Sequence, residues 1–215
     1  MFSNYIFDLD GTLTDSRLGI YNALCHALTN MGVNDIPDAI PNGFIGPPLQ
    51  AGFKSIFNMA DNEVEQAVRL FREYYNEKGW FENEPYQGIT DVLESLFSSN
   101  ARIFVATAKF EDYAIRILKH FDIFQYLTDV KGASGHEKKA GKTHLVDALI
   151  NKYQLKTDET VIIGDTNFDI QAGKETGIKS VAVGYGFTAE EELKKTLPDY
   201  YCQEMEDLYN LLCAN

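Results

Sequence analysis

The sequence predicts a doubly wound, parallel α/β sheet carrying an inserted all-helical module. Three observations predict it. Short apolar runs end abruptly in glycine, threonine or aspartate, and the apolar residues between those runs recur at helical spacing. After the first run, about 70 residues show helical patterns without a convincing strand, far more than an ordinary crossover needs.

Taken in order, Tyr5-Ile6-Phe7 leads straight into Asp8-Leu9-Asp10-Gly11, as expected of a buried parallel strand that presents polar groups at its carboxyl end. Residues 15–85 then carry two helical stripes, Leu18, Tyr21, Leu24, Leu28 and Met31, followed by Val64, Val68, Phe71 and Tyr75. Gly43, Gly46, Pro47 and Pro48 break this module internally, and Pro85 to Gly88 mark the return to the sheet. Ile89, Val92, Leu93, Leu96 and Phe97 predict a helix before the strand Arg102 to Ala106, which runs into Thr107. Leu145 with Leu149 and Val146 with Ile150 predict the next helix. Strands follow at Thr160 to Ile163, ending in Gly164-Asp165, and at Lys179 to Val183, ending in Gly184. Pro198 to Cys202 reads as a last short strand, and Glu204 to Leu212 as a closing helix. The domain boundaries expected are 1–14 with 86–215 for a Rossmann-like core and 15–85 for the helical module. A ligand site belongs beyond the carboxyl ends of such strands.

Composition narrows the function. The 32 acidic against 19 basic side chains give a formal charge of -13, which disfavours polymeric nucleic acid or an anionic membrane surface as the main partner. A small anionic ligand remains compatible, because a cation, a lysine and aligned N–H groups can make a local positive pocket. Cys25, Cys202 and Cys213 show no metal-ligand spacing, and the four histidines show none either. With no basic leader and no long apolar run, a reducing cytoplasm is expected.

The chemistry-bearing residues cluster at the predicted strand ends. Asp8 and Asp10, one residue apart, can face one site where a hard divalent cation would offset their repulsion. Asp165 adds a carboxylate from another strand end, and Asp169, four residues on, can orient the groups around it. Thr107 and the adjacent backbone N–H groups could cradle a phosphate oxygen. Lys138, Lys139 and Lys142 compete to supply a lysine at the start of the following helix.

This set, Phe7-Asp8-Leu9-Asp10-Gly11-Thr12-Leu13, Thr107, Lys142, Gly164-Asp165 and Asp169, in this order along the whole chain, resembles the haloacid dehalogenase superfamily. Within it the chain looks like the phosphatase branch with a helical cap, and is similar in particular to the phosphoglycolate phosphatase-like group. The resemblance implies Asp8 as nucleophile, Asp10 as general acid and base, Gly11, Thr107, Ala108 and Lys142 around the phosphate, and Mg2+ on Asp8, Asp165 and the Asp10 backbone carbonyl, with Asp169 behind them. Many relatives carry Lys-Pro-x-Pro where this chain has Gly141-Lys142-Thr143-His144, so Lys142 is the expected lysine and Lys139 the second choice. Substrate contacts from the cap are expected of Arg17 and Lys54, and the Phe44 to Leu49 loop resembles a substrate-facing loop. The expectation is a monomeric or homodimeric phosphatase of small phosphorylated metabolites. A hexose phosphate mutase, a pyrophosphatase or a nucleotidase is the alternative, and a non-catalytic binding protein is disfavoured because no motif position is vacant.

Overall fold

The computed structural model describes residues 2–134 and 141–213. In chain order its elements are β1 (Asn4–Phe7), β2 (Thr14–Asp15), α1 (Arg17–Asn30), α2 (Leu49–Ile56), α3 (Asp61–Tyr74), β3 (Glu84–Pro85), α4 (Ile89–Ser98), β4 (Arg102–Phe110), α5 (Glu111–His120), β5 (Asp129–Ala133), α6 (Thr143–Tyr153), β6 (Thr160–Gly164), α7 (Asn167–Thr176), β7 (Lys179–Val183), α8 (Glu190–Lys195), β8 (Tyr200–Cys202) and α9 (Met205–Cys213). The chain divides into two compact units, Met1–Asp15 with Pro85–Asn215, and Ser16–Glu84.

In the first unit the described residues form a six-stranded sheet in the order β5-β4-β1-β6-β7-β8. Every pairing in it is parallel. Phe7 stands opposite Val105 on one side and Ile163 on the other, so Asp8, Thr107 and Gly164-Asp165 lie toward the same end of the sheet. The order reverses at β1, since the chain builds β4 and β5 on one side before crossing to β6. That is where an open α/β sheet leaves a crevice. Ile6, Phe104 and Ile162 pack on Val146 and Leu149 of α6 and Ala172 of α7, all buried, and this layer holds the strand ends in place.

Strand β5 escaped the sequence reading. Its Asp129, Lys131 and Gly132 leave Val130 as the one large aliphatic residue, because an edge strand needs less apolar surface than a central one. Phe97 departs from its predicted stripe. It is 52% exposed and meets Tyr126 edge-on, while Ile89, Val92, Leu93 and Leu96 are buried.

In the helical unit, α1 and α2 both pack on α3. The predicted stripe of α1 is rotated in the structure: Leu18 is 60% exposed, whereas Gly19, Ile20, Ala23, Leu24, Ala27 and Leu28 are buried. Gly19 explains the rotation. A Cβ there would collide with the Gly79 carbonyl, so the helix turns Gly19 toward the π-helical turn Tyr75–Gly79. Val64, Val68, Phe71 and Tyr75 are buried as one stripe. Phe44, from the loop expected to face substrate, is buried against Phe53 at 5.3 Å between ring centres.

Candidate active site

The end of β1 makes a tight turn whose geometry sets the site. The N–H groups of Leu13 and Thr14 both donate to the Leu9 carbonyl, at 2.9 and 3.0 Å, and the Gly11 N–H donates to Thr14 O at 2.8 Å. Gly11 has φ of 84°, and a Cβ on it would occupy the position of the Asp165 carboxylate. Only glycine meets both demands, the left-handed backbone and the close approach. The contribution of Gly11 visible here is therefore the turn and the room for Asp165.

Asp8 follows β1 directly and is buried. Its Oδ2 pairs with the Lys142 ammonium, and its Oδ1 accepts the Leu9 N–H at 2.7 Å. Lys142 stands at the N-terminal end of α6 with a side chain 4% exposed, and it also holds Asp169 Oδ1 at 2.6 Å. The other oxygen of Asp169 accepts the Thr166 hydroxyl at 2.6 Å and the Thr166 N–H at 3.1 Å, a reciprocal cap at the start of α7. Asp169 is thus fixed from both sides. Among the described residues, Lys142 is the lysine brought to these carboxylates; Lys138 and Lys139 lie outside the described residues.

Asp165, at the end of β6, completes a group with Asp8 and Asp169 in which carboxylate oxygens lie within 4.8 Å of one another, all three residues buried. Its Oδ2 accepts the Phe187 N–H at 2.7 Å. That contact comes from the loop after β7, where Tyr185 donates to the Thr12 carbonyl at 3.2 Å and a side chain at Gly186 would collide with Asp165. Sequence reasoning missed this loop. The signal was present in Gly184-Tyr185-Gly186-Phe187, two glycines at a strand end, but nothing local says which carboxylate they approach.

Electrostatics favours a cation here. Burial pushes the Asp8 carboxyl up to about 7, opposed by Lys142 and assisted by Asp169. Burial, followed by the charges of Asp8 and Asp169, raises Asp165 well above the ordinary carboxylate range. Burial also works against the charge on Lys142, yet Asp169 and Asp8 together hold its ammonium above the usual lysine value. The four carboxylates Asp8, Asp10, Asp165 and Asp169 meet two lysines, Lys142 and Lys109, leaving two formal negative charges. One hard divalent cation on oxygen donors would neutralise them, so the donor set fits magnesium.

Asp10 takes a different direction from Asp8. Its carboxylate is held by Lys109, with Nζ at 2.7 Å from Oδ1 and 2.6 Å from Oδ2. Strand β4 runs on past the expected Arg102 to Ala106, so Thr107 is buried within it, where its hydroxyl accepts the Lys109 N–H at 3.2 Å, and Ala108 beside it is exposed. Arg17 and Lys54 belong to the helical unit, Arg17 opening α1 and Lys54 lying on α2 in an exposed pair with Asp61 at 2.6 Å. Among the described residues, no helix is long and apolar enough to cross a membrane.

Comparison with known proteins identifies the constellation. The family model described as haloacid dehalogenase-like hydrolase matches residues 5–183. The chain is 32% identical over 211 residues to a 5'-nucleotidase of Pseudomonas aeruginosa, covering 98% of this chain and 96% of that protein. It is 30% identical over 209 residues to a phosphoglycolate phosphatase of Aquifex aeolicus, covering 96% and 95%. A haloacid dehalogenase-like family hydrolase from Streptococcus pneumoniae superposes with a TM-score of 0.88 at 30% identity, covering 98% of both chains. The strand-end carboxylates, the parallel sheet that presents them and these matches lead to one conclusion: the chain belongs to the haloacid dehalogenase-like hydrolases, as an enzyme of their phosphatase branch.

Proposed function

We propose that this enzyme is a magnesium-dependent phosphatase of small, phosphoglycolate-like monoesters, working through an aspartyl phosphate on Asp8. The observation that carries this reading is Asp8 itself, buried at the end of β1 with one oxygen on Lys142 and with Asp165 and Asp169 around it. Asp8 attacks phosphorus in line and the ester oxygen leaves with a proton from Asp10. Asp10 then takes a proton from water, which hydrolyses the acyl phosphate and returns Asp8. Lys142 and Thr107 bind the remaining phosphoryl oxygens, while Asp169 keeps the Lys142 ammonium in place. Asp8, Asp165 and the Asp10 carbonyl would hold magnesium, which supplies charge neutralisation of the phosphoryl oxygens.

In this reading the helical unit is the cap that selects the ester, and Arg17 and Lys54 are its contributions to selection. Nucleoside monophosphates form a second candidate class, on the similarity to a protein named 5'-nucleotidase. Cys25, Cys202 and Cys213 are free, which suits a reducing cytoplasm. The test is a screen of small phosphate monoesters, pyrophosphate and nucleotides for released phosphate, with magnesium present or chelated. Asp8→Asn should leave circular dichroism unchanged and lower phosphate release by about 10⁴-fold or more, the scale seen when a nucleophile is removed. Substantial turnover by Asp8→Asn would overturn the nucleophile assignment. Isomerisation of hexose phosphates faster than phosphate release would replace the phosphatase reading with a mutase.

A further inference from the structure

Asp10 and its lysine form a second ion pair in the site, and the fold goes out of its way to build it. Strands β4 and β5 pair regularly from Phe104 with Asp129 to Thr107 with Gly132, but the next pair is Phe110 with Ala133. Ala108 and Lys109 are therefore extra residues on β4, a bulge of the kind that re-aims a side chain next to a functional site. The bulge needs space on β5. A Cβ at Gly132 would lie 2.5 Å from Glu111 Cα, 2.6 Å from Glu111 N and 2.7 Å from the Lys109 carbonyl, so Gly132 is the residue that lets the bulged backbone pass. Its N–H donates to the Glu111 carboxylate at 3.1 Å, tying β5 to the start of α5 just beyond the bulge.

The re-aimed Lys109 ammonium contacts both oxygens of Asp10, in a pair whose side chains are only 8% and 15% exposed. With so little water to compete, this contact fixes the carboxylate plane rather than merely neutralising it. Lys142, by contrast, serves Asp8 and Asp169. Each lysine thus governs its own carboxylates.

We propose that Lys109 is a positioning residue for Asp10: presented by the β4 bulge that Gly132 makes possible, it aims the Asp10 carboxylate and keeps hold of one oxygen while the other faces the ester oxygen or water. The proposal rests on the reading of Asp10 as general acid and base. It adds no step to the reaction and alters no proton count.

The experiment is a double-mutant cycle with Lys109→Met and Asp10→Asn, assayed with magnesium on a small alkyl phosphate and on an aryl phosphate with a good leaving group. Lys109→Met should lower kcat on the alkyl ester about 100-fold, the scale of a misplaced reacting group, with KM unchanged within about twofold. On the aryl ester it should preserve the first burst of phenol, which needs no proton, and slow the steady state. Added to Asp10→Asn, it should change the rate by less than about twofold, because it acts through Asp10. Lys109→Arg should recover part of kcat. Gly132→Ala, which leaves Lys109 intact, should reproduce the kcat loss by displacing the bulge, and it serves if Lys109→Met fails to fold. A rise in KM at constant kcat, or losses that multiply in the double variant, would overturn the proposal and make Lys109 a ligand of the substrate. Full activity in Lys109→Met beside an impaired Asp10→Asn would overturn it too, whereas full activity in Asp10→Asn would instead remove the underlying reading of Asp10.

Discussion

Asp165 is the residue where the unbalanced charge of the site concentrates. Asp8 and Asp169 share Lys142 and Asp10 has Lys109, while Asp165 is met by the Phe187 N–H at 2.7 Å and, at 3.5 Å, by the Thr12 hydroxyl. Burial and two neighbouring carboxylates already raise its pKa well above the ordinary range. A bound cation should therefore be felt in stability as well as in activity. Magnesium at about 100 times its Kd should stabilise the wild type by about 2.7 kcal/mol, read as a higher Tm. In Asp165→Asn that rise should disappear, and the metal-free variant should melt no lower than the metal-free wild type, because a buried like charge is gone. An equal Tm rise in both proteins would remove Asp165 from the cation site. At this scale the sequence was informative wherever a polar residue directly follows an apolar run, which is why Asp8, Thr107 and Asp165 were legible. Lys109 and Gly186 were not, since their partners, Asp10 and Asp165, are remote in the chain and their relation depends on a bulge and a loop.

Among the elements, the edge between β7 and β8 shows how a surface carboxylate can lock a short strand. Asp199 pairs with Lys179 at 2.6 Å and accepts the Ser180 N–H at 2.9 Å and the Ser180 hydroxyl at 3.1 Å, joining the starts of the two strands. Burial pushes its carboxyl upward, but the bonds from Lys179 and Ser180 outweigh that and hold it below the ordinary value. A lowered folded-state pKa means that the contribution is complete above the unfolded value of about 3.9 and is lost as pH falls through the folded one. Asp199→Ala should thus cost about 1–2 kcal/mol at neutral pH, the worth of charge-assisted bonds at a partly exposed site. Denaturant melts of the two proteins should converge in strong acid. A difference that persisted there would assign the loss to packing instead. Strands β1, β4, β6 and β7 were readable because burial on both faces enforces unbroken apolar runs. Edge strand β5 was not, and neither was the rotation of α1, because periodicity finds a stripe but not the Gly79 carbonyl that favours Gly19 over Leu18 at the contact.

For the whole molecule, the proposed function divides labour between the two units, with the α/β unit performing the chemistry and the helical unit choosing the ester. Lys54 is 63% exposed and paired with an Asp61 that is 84% exposed, so its removal should leave Tm nearly unchanged. If the proposed selection holds, Arg17→Ala and Lys54→Ala should shift the ranking of small esters while leaving turnover of a generic aryl phosphate nearly constant. Parallel losses on every substrate would place both residues outside selection. By itself the sequence determined the strand-and-helix alternation, the family and the carboxylates, because each depends on local patterning or on motifs whose residues stand at strand ends. Only the tertiary structure decided which lysine serves which carboxylate. A parallel sheet brings together residues as distant in the chain as Asp8, Lys109, Lys142 and Asp165, and their pairing is set by register, by one bulge and by the few glycines that let backbone and carboxylate approach.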